Sequence, residues 1–572
     1  MKINPILAKD FYKVGHKFQY PEGTSMVYSN FTSRSDRLSN NRYNNSKVVF
    51  FGLQGFIKWF LIDTFNEEFF NQPKEKVVKA YKRRVDNALG PDCVAVDHIE
   101  ALHELGYLPL EIKALPEGSL VPMKVPVFTI RNTKPEFFWL TNMLETALST
   151  ESWKACTSAT TAYSYRKLLE EYAEKTGAPK EFIYWQGHDF SMRGLSGIHD
   201  ASSSGAGHLL SFFGTDTISA IDYLENYYGA DSDKELIGGS VPATEHSVMC
   251  MGSKESEIET FKRLINDVYP SGVVSIVSDT WNYFKVITEY ALELKEDILN
   301  RKPNAIGLAK VVFRPDSGDP VKIICGEALS YSSLQEASEA INTQHWADAG
   351  DACEGRHRFG LGEYETIASV DGKAYKFKTA FSYDRHDKTY YYIDCYGDEG
   401  ETTYEECEAT PQMKGSVECL WDIFGGTIND KGYKVLHERV GLIYGDSITL
   451  ERAEAILKGL EAKGFASCNV VFGIGSYTYQ HVTRDTYGFA MKATYGEING
   501  EGVEIFKDPV TDSGTKKSAK GLLRVEKEGD NFVLYDQQTW EQEAQGELKT
   551  VFKDGVQYNI QTLSEIRNRL VG

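Results

Sequence analysis

The chain has 572 residues, 41% hydrophobic and 25% charged, with 49 Gly and 17 Pro. That is globular composition of several domains' length, not a disordered or collagen-like chain. Lys and Arg number 62 against 82 Asp and Glu, a formal net charge of −20; a field of this sign repels phosphate backbones and excludes a general nucleic-acid binder, so an anionic ligand must be held by local basic groups and backbone N–H.

The nine Cys contain no Cys-x-x-Cys pair, which argues against a disulfide framework or structural zinc and fits a reducing compartment. The N-terminus shows no signal-peptide core, and no uncharged apolar run reaches about 18 residues. A cytoplasmic protein without a membrane span is expected.

Taken in chain order, residues 1–150 show short alternating segments without a regular rhythm. They predict the N-terminal part of a mixed, β-rich domain whose C-terminal part is 490–572. Between them, over 151–489, a strand, a polar or glycine turn and an amphipathic helix recur. The predicted strands are FIYWQ (182–186), LLSFF (209–213), VVSIVS (273–278), KVVFR (310–314), GLIYG (441–445) and NVVFG (469–473). They are short, β-branched and nearly continuously apolar, as in a parallel sheet buried on both faces. Helical faces follow: Ile218, Ile221, Leu224 and Tyr228 before a stop at Gly229; Phe284, Ile287, Ala291, Leu294 and Ile298; and Leu450, Ala453, Leu457 and Leu460 between a Thr449 cap and Gly464. Such βα units, closed into a barrel, put their turns on the C-terminal rim, where barrel enzymes keep their chemistry.

Asp316 and Asp446 lie 130 residues apart, so roughly 90 residues are surplus to one unit of about 30–40. The surplus, about 322–415, alternates Tyr, Phe and Ile around Asp-Gly turns and predicts a β-hairpin insertion, with surface decoration as its plainest role.

Asp216, Asp279, Asp316 and Asp446 each follow a predicted strand. Any one of them could be a helix N-cap; four on one rim ask for more. Arg314 ends a strand beside Asp316, and Gly445, Gly473 and Gly475 occupy the last two βα turns, where barrels often bind phosphate. Arg484 follows, and Lys492, Lys507, Lys516, Lys517, Lys520 and Arg524 make a locally basic stretch, either a solvated loop or an anion-recruiting one. Glu245 and His246 are adjacent candidates for acid, base or phosphate acceptor.

The stretches DFYKVGHKFQYP (10–21), LPLEIKALPEG (108–118), HDFSMRG (188–194), GTDT (214–217), SVPATEHS (240–247), VSD (277–279), RPDSGDP (314–320), GD (445–446), TRD (483–485) and FKDPVTD (506–512), in this order and spacing, resemble the nicotinamide phosphoribosyltransferase family. The resemblance covers nearly the whole chain, and the insertion resembles that of the bacterial and phage-borne branch. It implies an α/β fold, the irregular barrel of the type II phosphoribosyltransferases with a β-rich second domain, and a homodimer with shared active sites. It implies transfer of phosphoribosyl from 5-phosphoribosyl-1-pyrophosphate to nicotinamide, with Mg2+ carried by pyrophosphate and ATP as an optional, hydrolysed activator. By family match, Phe190 of one subunit and Tyr12 of the other sandwich the pyridine ring, and Arg193 and Asp216 address its carboxamide with Asp10 nearby. Asp279, Arg314 and Asp316 line the ribose and pyrophosphate, and Gly445, Asp446 and Gly475 the 5′-phosphate. Arg484, Lys492, Lys507 and Lys520 match anion-binding positions, and His246 is the phosphorylated histidine beside Glu245.

One departure stands out. Animal members carry three glycines after the last strand, where this chain reads Gly473-Ile474-Gly475-Ser476, so Ser476 can donate a hydroxyl in place of a backbone N–H. The alternatives are a nicotinate phosphoribosyltransferase, a sugar-phosphate enzyme on a barrel, and a silent binding protein. Phe190 and Tyr12 speak against the second, and the intact set of acidic, basic and histidine residues against the third.

Overall fold

The computed structural model describes residues 4–351, 362–384, 389–392, 402–507 and 519–572. The chain divides into two compact units, one of 1–240, 445–451 and 471–572, the other of 241–444 and 452–470. The expected cut at residue 150 falls inside a continuous helix, Glu145–Thr176, and so does not separate compact units.

The first unit holds a seven-stranded antiparallel sheet in the order Glu501–Glu504, Ala490–Ile498, Thr24–Thr32, Pro126–Asn132, Leu110–Ala114, Lys549–Lys553, Val556–Gln557. It is a β-rich layer built from both chain ends. Phe31 stacks between Phe128 on the neighbouring strand and Phe489, which immediately precedes the strand Ala490–Ile498, with ring centroids 5.1 and 5.2 Å apart. In the helical layer, Gly207 lets the helix Ile198–His208 approach Glu145–Thr176: a Cβ there would stand 3.0 Å from Ala159 N and 3.1 Å from Ala155 O.

Each unit also contains three parallel strands. In the first, Gly187–Asp189 lies between Gly214–Thr215 and Val471–Ile474. In the second, Lys310–Arg314 lies between Val273–Val277 and Val440–Tyr444. Neither section closes into a barrel by itself. Two expected strands are corrected. FIYWQ forms a short 3-10 turn and the helix Ile183–Gln186, and the strand begins only at Gly187. LLSFF continues from the helix ending at His208, leaving a strand of Gly214–Thr215. LLSFF buries Leu209, Leu210 and Phe212, whereas FIYWQ buries Ile183 and leaves Trp185 39% exposed; over five residues an apolar run does not tell a helical turn from a buried strand.

The helix Ile218–Tyr228 buries Ala220, Tyr223, Leu224 and Tyr228 and ends at Gly229, while Ile218, expected in the core, is 72% exposed. Past Asp279 the chain runs in short α and π turns that bury Ile287, Ala291, Leu294 and Ile298. The insertion is more than a hairpin. Asp371 and Gly372, at φ 49° and 78°, form the expected Asp-Gly turn between Gly362–Val370 and Lys373–Asp384. Two further strands pair with the second of these. A helix, Leu334–Asp351, packs Ala337 and Ile341 onto Ala368, Val370 and Phe377. Residues 352–361, 385–388 and 393–401 of the expected insertion lie outside the described residues. Among the described residues the cysteines are free and no helix is long and apolar enough to cross a membrane.

Candidate active site

The first unit gathers one polar group around the end of the strand Gly187–Asp189. Successive strand residues alternate faces, so His188 and Phe190 share a side, their rings 4.7 Å apart. His188 Nε2 lies 2.8 Å from Asp216 Oδ1. A carboxylate only accepts, so this nitrogen carries the proton. Ser240 Oγ donates to the same oxygen at 2.6 Å. The Asp216 side chain stays 43% exposed, a held carboxylate that solutes can still reach. Asp189, fully buried beside it, accepts from Ser191 and Thr217.

Arg193 is exposed on the turn Met192–Gly194. A Cβ on Gly194 would come within 2.4 Å of Ser476 Cβ, so glycine brings this turn onto the Gly475–Ser476 turn. A Cβ on Gly475 would meet nothing within 4 Å; the glycine answers neither packing nor an unusual φ, and the ground before it is open. Tyr12, 64% exposed, sits on the turn Phe11–Gly15. That turn is anchored by Lys13, 2.6 Å from Glu145, and by Thr146 Oγ1 donating to Asp10 at 2.7 Å.

Asp446 is exposed in the turn that starts at Gly445, and Arg484 is half exposed on a turn capped by Thr483, 3.6 Å from Asp485. Lys492 lies on the strand Ala490–Ile498 opposite Asn30. Lys520 is a partnered cation, 3.4 Å from Glu504 and 5.3 Å from the Phe506 ring centroid. Lys507 ends a described segment, and Lys516 and Lys517 lie outside the described residues.

The second unit gathers the other group. Segment 242–244 pairs in parallel beside Val273–Val277: Ser275 N donates to Pro242 O, Thr244 N to Ser275 O and Val277 N to Thr244 Oγ1. This strapping delivers His246, at the start of the helix His246–Met251, to Asp279 just past the strand, with Nε2 3.2 Å from Oδ1. The other oxygen accepts the Asp316 N–H at 2.8 Å and Ser317 Oγ at 2.5 Å. Burial pushes the Asp279 carboxyl up, but the bonds from Ser317, Asp316 N–H and His246 outweigh it and hold the pKa below the ordinary aspartate value. Arg314 donates to Thr244 O, and its Nε is buried with no partner among the described residues. Glu245 is exposed and accepts from Ser247.

The capping explanation fails for three of the four aspartates. The helices after Asp216, Asp279 and Asp316 have Thr217, Asn282 and Asp319 at their N-caps, the last two with side-chain hydrogen bonds. His188, Asp189, Ser240, Thr244 and Ser317 were not singled out by sequence reasoning. Only His188 carried a signal, two residues before Phe190 on one strand face. Among the described residues no cluster of three His, Cys, Asp or Glu could hold a metal ion.

Residues 185–348 and 371–556 match the model of the nicotinate phosphoribosyltransferase (NAPRTase) family, and residues 4–112 match the nicotinamide phosphoribosyltransferase N-terminal domain. The chain is 57% identical over 570 residues, 100% of its length and 97% of the relative's, to a nicotinamide phosphoribosyltransferase of Acinetobacter baylyi. It is 30% identical over 538 residues, 91% of this chain and 95% of the relative, to a nicotinamide phosphoribosyltransferase of Mycoplasma pneumoniae. Among solved structures, nicotinate-nucleotide pyrophosphorylase from Pyrococcus furiosus covers 99% of this chain and 95% of that chain at 13% identity, with a TM-score of 0.48.

Proposed function

The chain belongs to the nicotinamide phosphoribosyltransferase family, and we propose that it joins nicotinamide to 5-phosphoribosyl-1-pyrophosphate, releasing nicotinamide mononucleotide and pyrophosphate in NAD salvage. The reading of the fold is the irregular barrel of the type II phosphoribosyltransferases, supported by two parallel three-stranded sections with βα order.

The group in the first unit takes the base. Phe190 stacks on the pyridine ring, with Tyr12 of a second subunit on its other face in a homodimer. Asp216, steadied by His188 and Ser240, accepts an amide N–H. Stacking and this hydrogen bond fix the orientation of the pyridine ring and of its nucleophilic nitrogen. The group in the second unit takes the phosphoribosyl donor. Loss of pyrophosphate leaves an oxocarbenium-like sugar, so a buried carboxylate held in its charged form stabilises the charge as it grows. Asp279 is such a group, and Asp316 adds a second carboxyl. Arg314, with its buried unpartnered Nε, suits the departing pyrophosphate. The 5′-phosphate falls to Gly445, Asp446, Gly475 and Ser476, and Arg484, Lys492 and Lys507 recruit phosphates. Mg2+ is read as arriving on the pyrophosphate, as part of the substrate, where it neutralises the charge of the leaving group.

ATP enters through His246. Its Nε2 donates to Asp279, which leaves Nδ1 as the lone-pair nitrogen for a phosphoryl group.

The observation that carries this reading is Asp279, 4% exposed at its side chain and held by three donors. The test is to supply phosphoribosyl pyrophosphate with nicotinamide and measure products: mononucleotide and pyrophosphate in equal amounts support it, and absence of the mononucleotide overturns it. A nicotinate-using reading draws on the exposed Arg193 cation on the turn after Phe190.

A further inference from the structure

Asp189 ends the strand Gly187–Asp189 and is fully buried, yet it makes no ion pair with a Lys, Arg or His among the described residues. His208, the buried imidazole whose charged form it favours, has its pKa pushed by burial down to about 4 and bonds Tyr479 and Gly214 instead. Its carboxylate takes three hydrogen bonds. Oδ1 accepts Ser191 N–H at 2.9 Å and Ser191 Oγ at 2.6 Å; Oδ2 accepts Thr217 Oγ1 at 2.8 Å. Its own backbone carbonyl accepts Asp216 N–H at 2.9 Å. Ser191 is the residue after Phe190, and Thr217 the residue after Asp216.

Burying a carboxylate without a cation is unfavourable, and a well-packed apolar side chain holds a strand end at least as well. What the carboxylate does that an apolar residue cannot is tie the residue after the stacking ring to the residue after the amide acceptor. The neighbouring helix is shaped around this tie. A Cβ on Gly205 would stand 3.1 Å from Asp189 Oδ2, 3.2 Å from Thr217 Cγ2 and 2.9 Å from Ala220 Cβ, so glycine leaves room for the Asp189–Thr217 pair where any side chain would crowd it.

We infer that Asp189 is a positioning residue for the acceptor site, setting Phe190 and Asp216 relative to each other and thereby the preference between the amide and the acid of the pyridine ring. The inference rests on the roles proposed above for those two residues. Its two arms are separable: Thr217 governs Asp216, and Ser191 governs Phe190.

The test leaves Asp189 in place and cuts each arm with a near-isosteric change. Thr217→Val removes one hydroxyl, Thr217→Ser restores it, and Ser191→Ala removes the other hydroxyl while keeping the N–H bond. For each enzyme, kcat/KM is measured with nicotinamide and with nicotinate, together with KM for phosphoribosyl pyrophosphate. Thr217→Val should change the ratio of the two kcat/KM values by roughly tenfold, the scale of one hydrogen bond to a charged group, and Thr217→Ser should bring it back. Ser191→Ala should raise KM for both acceptors alike and leave the ratio in place. Neither variant should move KM for phosphoribosyl pyrophosphate. A ratio unmoved in Thr217→Val, or equal losses with both acceptors and the phosphoribosyl donor, overturns the inference. The direction of the wild-type ratio tests the proposed function; its movement on cutting the Thr217 arm tests the role of Asp189. The two failures are therefore distinct.

Discussion

His246 presents Nε2 to Asp279 at 3.2 Å, and the two side chains differ sharply in exposure, 47% for the histidine and 4% for the aspartate. The imidazole is thus reachable while its anchor is buried. Asp279 has two duties under the proposed chemistry. It steadies positive charge on the sugar, and it fixes the tautomer of a histidine that exchanges a phosphoryl group.

Replacing that anchor should therefore slow chemistry more than binding. In Asp279→Asn the shape survives, but the charge goes and an amide N–H2 faces a set of donors. We expect kcat to fall by about 10²–10³, the scale of removing one preorganised electrostatic partner, with KM for nicotinamide changed by less than about threefold. Steady-state kinetics with nicotinamide varied at saturating phosphoribosyl pyrophosphate measures both. An unchanged kcat removes Asp279 from the sugar.

His246→Ala separates activation from synthesis. The variant should lose ATP hydrolysis and the stimulation of mononucleotide formation by ATP, while basal synthesis persists at a reduced rate. Radiolabelled phosphate from ATP should remain on the wild-type protein after acid-free denaturation and be absent from the variant. Stimulation that survives the substitution takes His246 out of that role.

Sharing of the site between subunits predicts complementation. Tyr12 is 64% exposed on an anchored turn, as suits a ring offered to another chain. Mixed dimers of Tyr12→Ala and Phe190→Ala subunits should recover part of the activity that neither homodimer has. Inactive heterodimers, isolated with two affinity tags, contradict the shared arrangement.

Much of the parallel sheet was legible. Val273–Val277, Lys310–Arg314, Val440–Tyr444 and Val471–Ile474 are β-branched runs closed by polar turns, a pattern with few other solutions. FIYWQ and LLSFF look the same in sequence but are helical turns, and periodicity cannot separate a turn from a strand over five residues. The helix Glu145–Thr176 escaped because most of its surface is buried, which leaves no polar face to mark its period. Of the site, Asp216, Asp279 and Asp316 were visible from their places after strands, and His246 from its pairing with Glu245. Ser240, Ser317 and Asp189 were not, since their contacts bring together segments 24, 38 and 28 residues apart and nothing local distinguishes them.

Stability should depend on pH through His98. It is 4% exposed between Phe18 and Trp139, with Nδ1 unpartnered among the described residues. Burial, reinforced by Lys17 and Lys9, pushes its pKa from 6.5 down to about 3. The unfolded chain takes up this proton first on acidification. The contribution of neutral His98 is therefore complete above pH 6.5 and lost progressively as pH falls from 6.5 towards 3. At pH 5 the loss from this residue is about 2 kcal/mol. His98→Phe keeps the aromatic packing and removes the titration, so its stability should fall less between pH 7.5 and pH 5, by about that amount. Chemical denaturation at the two pH values checks it, and equal losses in wild type and variant contradict the assignment.

The choice between amide and acid falls to Asp216 in the proposed chemistry. Nicotinamide offers an N–H that Asp216 can accept, whereas nicotinate brings a carboxylate to the same oxygen, like charge against like charge with no proton between them. The measurement is kcat/KM for nicotinamide and for nicotinate in wild type and in Asp216→Asn. A strong wild-type preference for nicotinamide is expected, narrowed in the variant by about 1–3 kcal/mol, the cost of one lost partner. A wild-type enzyme that prefers nicotinate, or a ratio that Asp216→Asn leaves unmoved, would contradict that assignment.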